Sequence, residues 1–350
     1  MTWRRRAVFA LASITVVLTV SFVALLGLDV YLHRRVQFSA GVNVWGYRGA
    51  PIGRKQPGEI RILALGGSTA FGYGLPWDQS WPYYLEQKVN AHRRDGTSAP
   101  VTVVNLGIPT DSARTFVATL NDYAYLHGDI AIFYEGYNDL GFDTNPPKNT
   151  TNPAVSHYLA WRHQSPIFRW TGYFPIFPLA LSEKASILLH GRSSTTDGEV
   201  RFRPDLATRA TAAAMKQAAN IGVSLERRLG KLTDVAVRKS EIVDADCARW
   251  SEYCGAVEDA VRHALAAGQR AVVVTQPYFS DVHVEQQRAL ASMLNQRFGN
   301  DSRVRYVNLG RLLDLHDPQV AYDGMHLVSG GNLRVAEALV PTVMEMLSKS

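Results

Sequence analysis

A hydroxyl flanked by small residues, an Asp three residues ahead of a His, and an Asn in a Gly-rich stretch are the features of this chain that could do chemistry. Ser68 stands in Gly66-Gly67-Ser68-Thr69-Ala70-Phe71-Gly72, and Gly107 follows Asn105-Leu106. Asn138 stands in Glu135-Gly136-Tyr137-Asn138-Asp139, and Asp323 and His326 in Tyr322-Asp323-Gly324-Met325-His326. Acyl transfer needs a nucleophilic hydroxyl, an imidazole to take and return its proton, a carboxylate to orient that imidazole, and donors for the oxyanion. The roles that follow are Ser68 as nucleophile, His326 as general base and then acid, and Asp323 as orienter. The oxyanion hole would be formed by the Ser68 N–H, the Gly107 N–H and the Asn138 side chain. Each piece alone has a plainer reading: a glycine turn, a bend, or a cap on the last helix. Their joint occurrence at successive strand ends is what points to a site.

Those strands are legible as short aliphatic runs: Ile60 to Leu65, Val101 to Asn105, Ile130 to Tyr134, Ala271 to Thr275 and Val304 to Asn308. Between them lie helical patterns near Trp81 to Arg93, Ala113 to Leu126 and Val282 to Arg297, with a last one from Gly331 to Leu347. Strand-helix alternation predicts an α/β three-layer sandwich around a central, mostly parallel five-stranded sheet of flavodoxin-like type. Ligands in such sheets bind beyond the carboxyl ends of the strands, where the four candidate turns fall.

Composition narrows the class. With 46% hydrophobic and 19% charged residues the chain is globular. Its net charge of +6 is carried by scattered Arg residues without a basic-aromatic module, so no nucleic-acid partner is expected. After Arg4, Arg5 and Arg6, an uncharged run from Ala7 to Leu28 of about 22 residues is long enough to cross a bilayer as a helix. Asp29 ends it, and no convincing small-residue cleavage site precedes His33, which predicts an uncleaved single-pass membrane anchor over residues 1–29. The arginines ahead of it put the N-terminus inside and the catalytic domain outside the cytoplasm, although Arg34 and Arg35 weigh the other way. Residues 30–58, broken by glycines and prolines, read as a tether to a domain over 59–350.

Cys247 and Cys254 are the two cysteines. On one straight helix their spacing puts the Cα atoms about 10 Å apart, so a disulfide requires a break between them. Two separate buried thiols are the alternative. With no C-x-x-C and no His/Cys cluster of zinc spacing, neither a metal nor any other cofactor is expected.

The four turns resemble those of the SGNH hydrolases, the superfamily that includes the GDSL esterases. That family carries a Ser in a Gly-Asp-Ser-like turn, a Gly, an Asn in a Gly-x-Asn-Asp stretch, and an Asp-x-x-His near the C-terminus. Ser68, Gly107, Asn138, Asp323 and His326 match these in order, and Gly136-Tyr137-Asn138-Asp139 matches the third block fully. The resemblance covers about residues 59 to 348 and implies a carboxylic ester hydrolase. It departs at Gly67 and Thr69, where the family name implies Asp and Leu.

A second departure is a long insertion at about 142–269, between the third and fourth strands. It opens with an aromatic and proline-rich stretch to about Pro204 and continues with helical patterns at Ala207 to Val237 and Asp246 to Ala266. Leaving the sheet just after Asn138, it is expected to roof the site. Trp161 and Trp170, interleaved with Arg162, His163 and Arg169, would bind the sugar rings of an acetylated cell-envelope glycan. Packing of the insertion onto the domain is the plainer reading of the same aromatics. Rival readings remain a lid that dips towards lipid, a lipid or thioester esterase of the same fold, an acyltransferase, and a non-catalytic glycan-binding module. The α/β-hydrolase elbow suggested by Gly66-x-Ser68-x-Ala70 is disfavoured because Ser68 follows the first strand. The glycines spell neither a Walker A loop nor a dinucleotide fingerprint.

Overall fold

The structure is a computed structural model. It describes residues 2–93, 100–109, 111–142, 166–178, the single positions 180, 181, 185 and 188, and residues 247–348. Five strands, β1 (Ile60–Gly66), β2 (Val101–Asn105), β3 (Ile130–Tyr134), β4 (Arg270–Thr275) and β5 (Val304–Asn308), form one sheet in the order β2-β1-β3-β4-β5. Every pairing is parallel, with Ala64 opposite Asn105, Gly66 opposite Tyr134 and Thr275 opposite Asn308. The carboxyl ends are therefore level, and the turns that follow them converge on one edge.

The strands are near-continuous apolar runs because both faces are covered. Leu63, Leu65, Ala131, Phe133 and Val273 face α4 (Phe116–Asp122), α6 (Ser251–Ala266) and α7 (Asp281–Phe298). Ile62, Ala64, Ile132, Tyr134, Val272 and Val274 face α3 (Trp81–His92) and α8 (Ser329–Ser348). Successive side chains of a strand point to opposite faces, so one short run feeds both cores.

All five strand positions agree with the sequence reading; three other expectations need correction. The helix expected from Ala113 to Leu126 is a 3-10 turn, then α4, then a second 3-10 turn that ends at His127 with φ 51°. The insertion does not extend to residue 269. Helix α6 buries Val257, Val261 and Ala264 in the same core as Leu63 and Phe133, so it is the crossover that every parallel strand pair needs, here between β3 and β4. Its start also settles the cysteines: the chain turns through residues 247–250 before α6 begins, which brings Cys247 and Cys254 to 6.1 Å between Cα atoms and joins them in a disulfide.

The third correction concerns the tether. The N-terminal helix α1 runs without interruption from Trp3 to Ala40, exposed along its apolar part and long and apolar enough to cross a membrane. It stays helical well past the apolar run and docks. Asp29 is buried and accepts the N–H groups of Ile176 (2.9 Å) and Phe177 and the Tyr173 hydroxyl; His33 is buried against the Phe174 carbonyl. Beyond Ala40, Val42, Asn43, Tyr47 and Arg48 are buried in the domain. The Arg48 N–H donates to the Asn105 carbonyl (3.0 Å), and its guanidinium donates to the carbonyls of Phe71, Gly72 and Leu75. Glycines forbid a regular element here, but regularity is not needed for packing when buried polar groups are matched one by one. The packed unit thus reaches back to Val42 rather than starting at Glu59.

Candidate active site

Ser68 opens α2 (Ser68–Phe71), a single helical turn that follows β1 directly. His326 and Asp323 lie in the loop that leads into α8, 258 residues away in sequence from Ser68 in the case of His326. The sheet brings them together. His326 Nε2 lies 2.8 Å from Ser68 Oγ, and His326 Nδ1 lies 2.6 Å from Asp323 Oδ2. With Asp323 accepting from Nδ1, the neutral ring carries its hydrogen there and presents a bare Nε2 to the serine hydroxyl.

Asp323 is itself held by the N–H groups of Met325 (3.0 Å) and His326 (2.7 Å). Burial pushes its carboxyl up, but the His326 ring and these two N–H groups outweigh that and hold it below the ordinary carboxylate range. It is a carboxylate at neutral pH, as an orienter of imidazole must be. Two rings flank the imidazole: Tyr322 is stacked on it and Tyr73 tilts against it, 5.3 Å between centroids.

The three expected oxyanion donors differ in their state. The Ser68 N–H lies in the first turn of α2, where a helix has no internal acceptor for it. Asn138, at the start of the 3-10 turn over Tyr137–Phe142, lies beside Gly67 and donates one amide hydrogen to the Asp111 carbonyl (2.6 Å); a primary amide has a second. The Gly107 N–H donates to Asn105 Oδ1 at 3.0 Å, so in this arrangement that donor is engaged. Gly107 also meets a packing need: a Cβ there would lie 2.6 Å from the Phe71 nitrogen, so its absence lets β2's exit pack flush on the Ser68 turn.

Residues that drew no role from the sequence hold these turns to one another. Gln276, just past β4, donates to Thr69 Oγ1 (2.6 Å) and accepts the Tyr137 N–H (2.9 Å). Asp139 accepts the Ala113 N–H at 3.2 Å. Glu135, fully enclosed at the end of β3, accepts the N–H groups of Gly136 (3.0 Å) and Asn138 (3.3 Å). The signal that marks Glu135 and Gln276 is a polar residue directly after a buried strand, where burial requires a partner.

The insertion does not roof the site in its described part. Helix α4 starts beside the site and runs away from it, ending next to Tyr123 before the chain enters the amino end of β3. There Phe168 of α5 (Pro166–Thr171) packs on Tyr123 (5.6 Å between centroids) and on Phe174, and the chain beyond clasps Asp29. Trp170 is 91% exposed on this distal flank. The segment that carries it is a bracket between α4 and α1. Trp161 and the helical pattern at Ala207 to Val237 lie outside the described residues.

The parallel five-stranded sheet, with Asp323, His326 and Ser68 hydrogen-bonded in series and the four turns on its carboxyl edge, has the arrangement that the resemblance to the SGNH hydrolases implies. No family model matches the chain. An arylesterase from Vibrio mimicus is 33% identical over 93 residues, which span 26% of this chain and 44% of that protein, less than half of its length. Among solved structures, the esterase EstA from Pseudoalteromonas sp. superposes with a TM-score of 0.42 at 11% identity, covering 82% of this chain and 98% of that one. A family 3 carbohydrate esterase from Clostridium thermocellum gives 0.43 at 9%, with 83% and 98% covered. The acetyl xylan esterase Axe2 from Geobacillus stearothermophilus gives 0.42 at 12%, with 81% and 94% covered. At such identities and scores the likeness says nothing about substrate.

Proposed function

We propose that this chain is a membrane-anchored serine esterase that removes short acyl groups. The observation that carries the reading is the unbroken hydrogen-bond chain from Asp323 through His326 to Ser68. Ser68 Oγ attacks the ester carbonyl while His326 Nε2 takes its proton. The oxyanion that forms is met by the Ser68 N–H and the Asn138 amide, with Gly107 joining only if Asn105 releases it. His326 returns the proton to the departing alcohol, and water then enters by the same route to free Ser68 and the acid. Loss of a single oxyanion donor costs about 100- to 1000-fold in rate.

The finer reading is an acetyl ester on a cell-envelope glycan. The partly exposed rings of Tyr73 and Tyr322, on either side of the imidazole, support it, since they offer flat faces to a sugar ring next to the reacting centre. A catalytic domain outside the cytoplasm is supported by Arg4, Arg5 and Arg6 ahead of the span and by the Cys247–Cys254 disulfide, a bond that persists in oxidising compartments.

Purified protein is expected to hydrolyse a short activated ester, with Ser68→Ala and His326→Ala each lowering kcat by about 1000-fold or more without loss of fold. Retention of a tenth of the activity in Ser68→Ala refutes the nucleophile. Activity should fall as the acyl chain lengthens; a rise towards long chains refutes the short-acyl reading. Release of acetate measured with and without a glycan acceptor separates hydrolysis from transfer. Protease added to intact spheroplasts should digest the domain, and full protection overturns the orientation.

A further inference from the structure

Gly67 precedes the nucleophile with φ −83° and ψ −147°, and a negative φ of this size is open to residues with side chains. Backbone conformation therefore does not demand glycine here; space does. A Cβ on Gly67 would lie 2.3 Å from Asn138 Nδ2 and 2.5 Å from Glu135 Oε2, well inside contact distance. The position at which the GDSL pattern carries Asp thus has no room for a side chain, and a carboxyl reaches the same space from the neighbouring strand.

We propose that Glu135 is a positioning residue for both the nucleophile and the oxyanion hole: its carboxyl fills the space beside Gly67 and ties the Ser68 turn to the Asn138 turn. This rests on the esterase reading above. One oxygen, Oε1, accepts the Gly136 and Asn138 N–H groups and so fixes where the Asn138 amide starts. The other, Oε2, faces Gly67, whose N–H adds favourable electrostatics without a hydrogen bond of ordinary geometry. From behind, the Tyr253 hydroxyl donates to the Glu135 carbonyl (2.9 Å) and itself accepts from Gln287 (3.0 Å). The carboxyl is thereby set on a rigid base supplied by α6 and α7.

Charge decides why a carboxyl is tolerable so close to a developing oxyanion. A carboxylate there would oppose the negative charge of the transition state. Burial, reinforced by the charge of Asp139, pushes the Glu135 carboxyl well above its ordinary range, against the pull of the Gly136, Asn138 and Gly67 N–H groups. A neutral acid holds the N–H groups through its carbonyl oxygen and adds no opposing charge. Gln can do the same, whereas Ala cannot.

The experiment uses the full chain in detergent and reads two things: kcat and KM on a short activated ester, and the rate at which an organophosphonate modifies Ser68. Glu135→Ala should lower kcat and phosphonylation by about 100-fold, the scale of losing an oxyanion donor, with KM within threefold of wild type. Glu135→Gln should restore both to within about fivefold of wild type. Equal losses in Gln and Ala, or an Ala variant within threefold of wild type, overturn the proposal. Should Glu135→Ala fail to fold, Gly67→Ala in the wild-type and Glu135→Gln backgrounds serves instead. The added methyl should lower phosphonylation by about tenfold or more in both while the melting temperature holds, and unchanged labelling refutes the shared space. If wild type itself neither turns over ester nor takes phosphonate on Ser68, the failure lies with the esterase reading and not with Glu135.

Discussion

The Tyr322 ring lies almost parallel to the His326 imidazole, 5.9 Å between centroids and 17° between planes, while its hydroxyl donates to the Tyr73 carbonyl at 3.1 Å. One side chain thus sets the plane of the base and pins the loop after α2 beside it. Burial keeps the phenol protonated far into the alkaline range, so the donor is constant. Tyr322→Phe, which keeps the ring, should leave kcat within about threefold. Tyr322→Leu should lower it by about tenfold, a loss of roughly 1.4 kcal/mol in transition-state positioning. Steady-state kinetics on both variants decide this; equal effects would show that the hydroxyl, not the stacking, positions His326.

Arg48 supports the same region from outside the strand-helix pattern. Burial lowers its guanidinium to about 9, opposed by Asp78, yet it serves the carbonyls of Phe71, Gly72 and Leu75. Arg48→Ala should therefore cost about 3 kcal/mol or more, since each buried carbonyl left without its donor costs about 1–3 kcal/mol. By the same reasoning a chain begun at Glu59 should melt at least about 10 °C below one begun at Val42. Matched thermal melts of the two truncations refute the packed role of residues 42–58 if they coincide.

Stability should respond to pH through Asp139. Its carboxyl is pushed up to about 7, chiefly by burial and also by Asp111, against the Ala113 N–H and Arg114. In the unfolded chain an Asp releases its proton near about 3.9. The folded state therefore binds more protons between those values, and this contribution to stability is lost as pH rises from about 4 to about 7. Asp139→Asn removes the loss, so the variant should gain on wild type between pH 5 and pH 8, by on the order of 1 kcal/mol or more. Urea melts at both pH values test it; a pH-independent difference refutes it.

The Cys247–Cys254 disulfide closes a short loop that leads into α6. A loop of that length is worth about 2 kcal/mol of constraint on the unfolded chain. Reductant should lower the unfolding free energy of wild type from urea melts by that amount and leave a Cys247→Ser/Cys254→Ser variant unmoved, with ester turnover at 25 °C unaffected in either.

The strands and the pairing of Asp323 with His326 were legible because each rests on local information. A strand such as Ile130–Tyr134 is recognisable by its own aliphatic run, and an Asp three residues before a His can bond within one turn. The supports were not legible, because their partners are distant in sequence. Gln276 meets Thr69 across 207 positions, and Tyr84 meets Ser329 across 245. Residues 30–58 were misread for a related reason: glycines and prolines report that a segment is irregular, not that it is loose. The course of residues 166–178 was not legible because departure from one edge of a sheet does not say which way a chain then turns, and Phe168 and Phe174 draw it to Tyr123.

The Asp29 clasp changes what kind of connection joins the apolar helix to the catalytic domain. A flexible leash would let the domain swing through a hemisphere and sample esters at many heights. Here the last apolar turn is followed at once by a side chain locked to residues 173–177, and the helix then lies along the domain for about 16 Å to Ala40. For a helix seated in a bilayer this is a mast, not a leash. In that setting the domain would start at the headgroup level and keep one bearing relative to the helix axis, and Ser68 would stay within a thin shell above the lipid. Lateral diffusion of the whole molecule, rather than rotation of the domain about a joint, would then govern how it meets an immobile polymer.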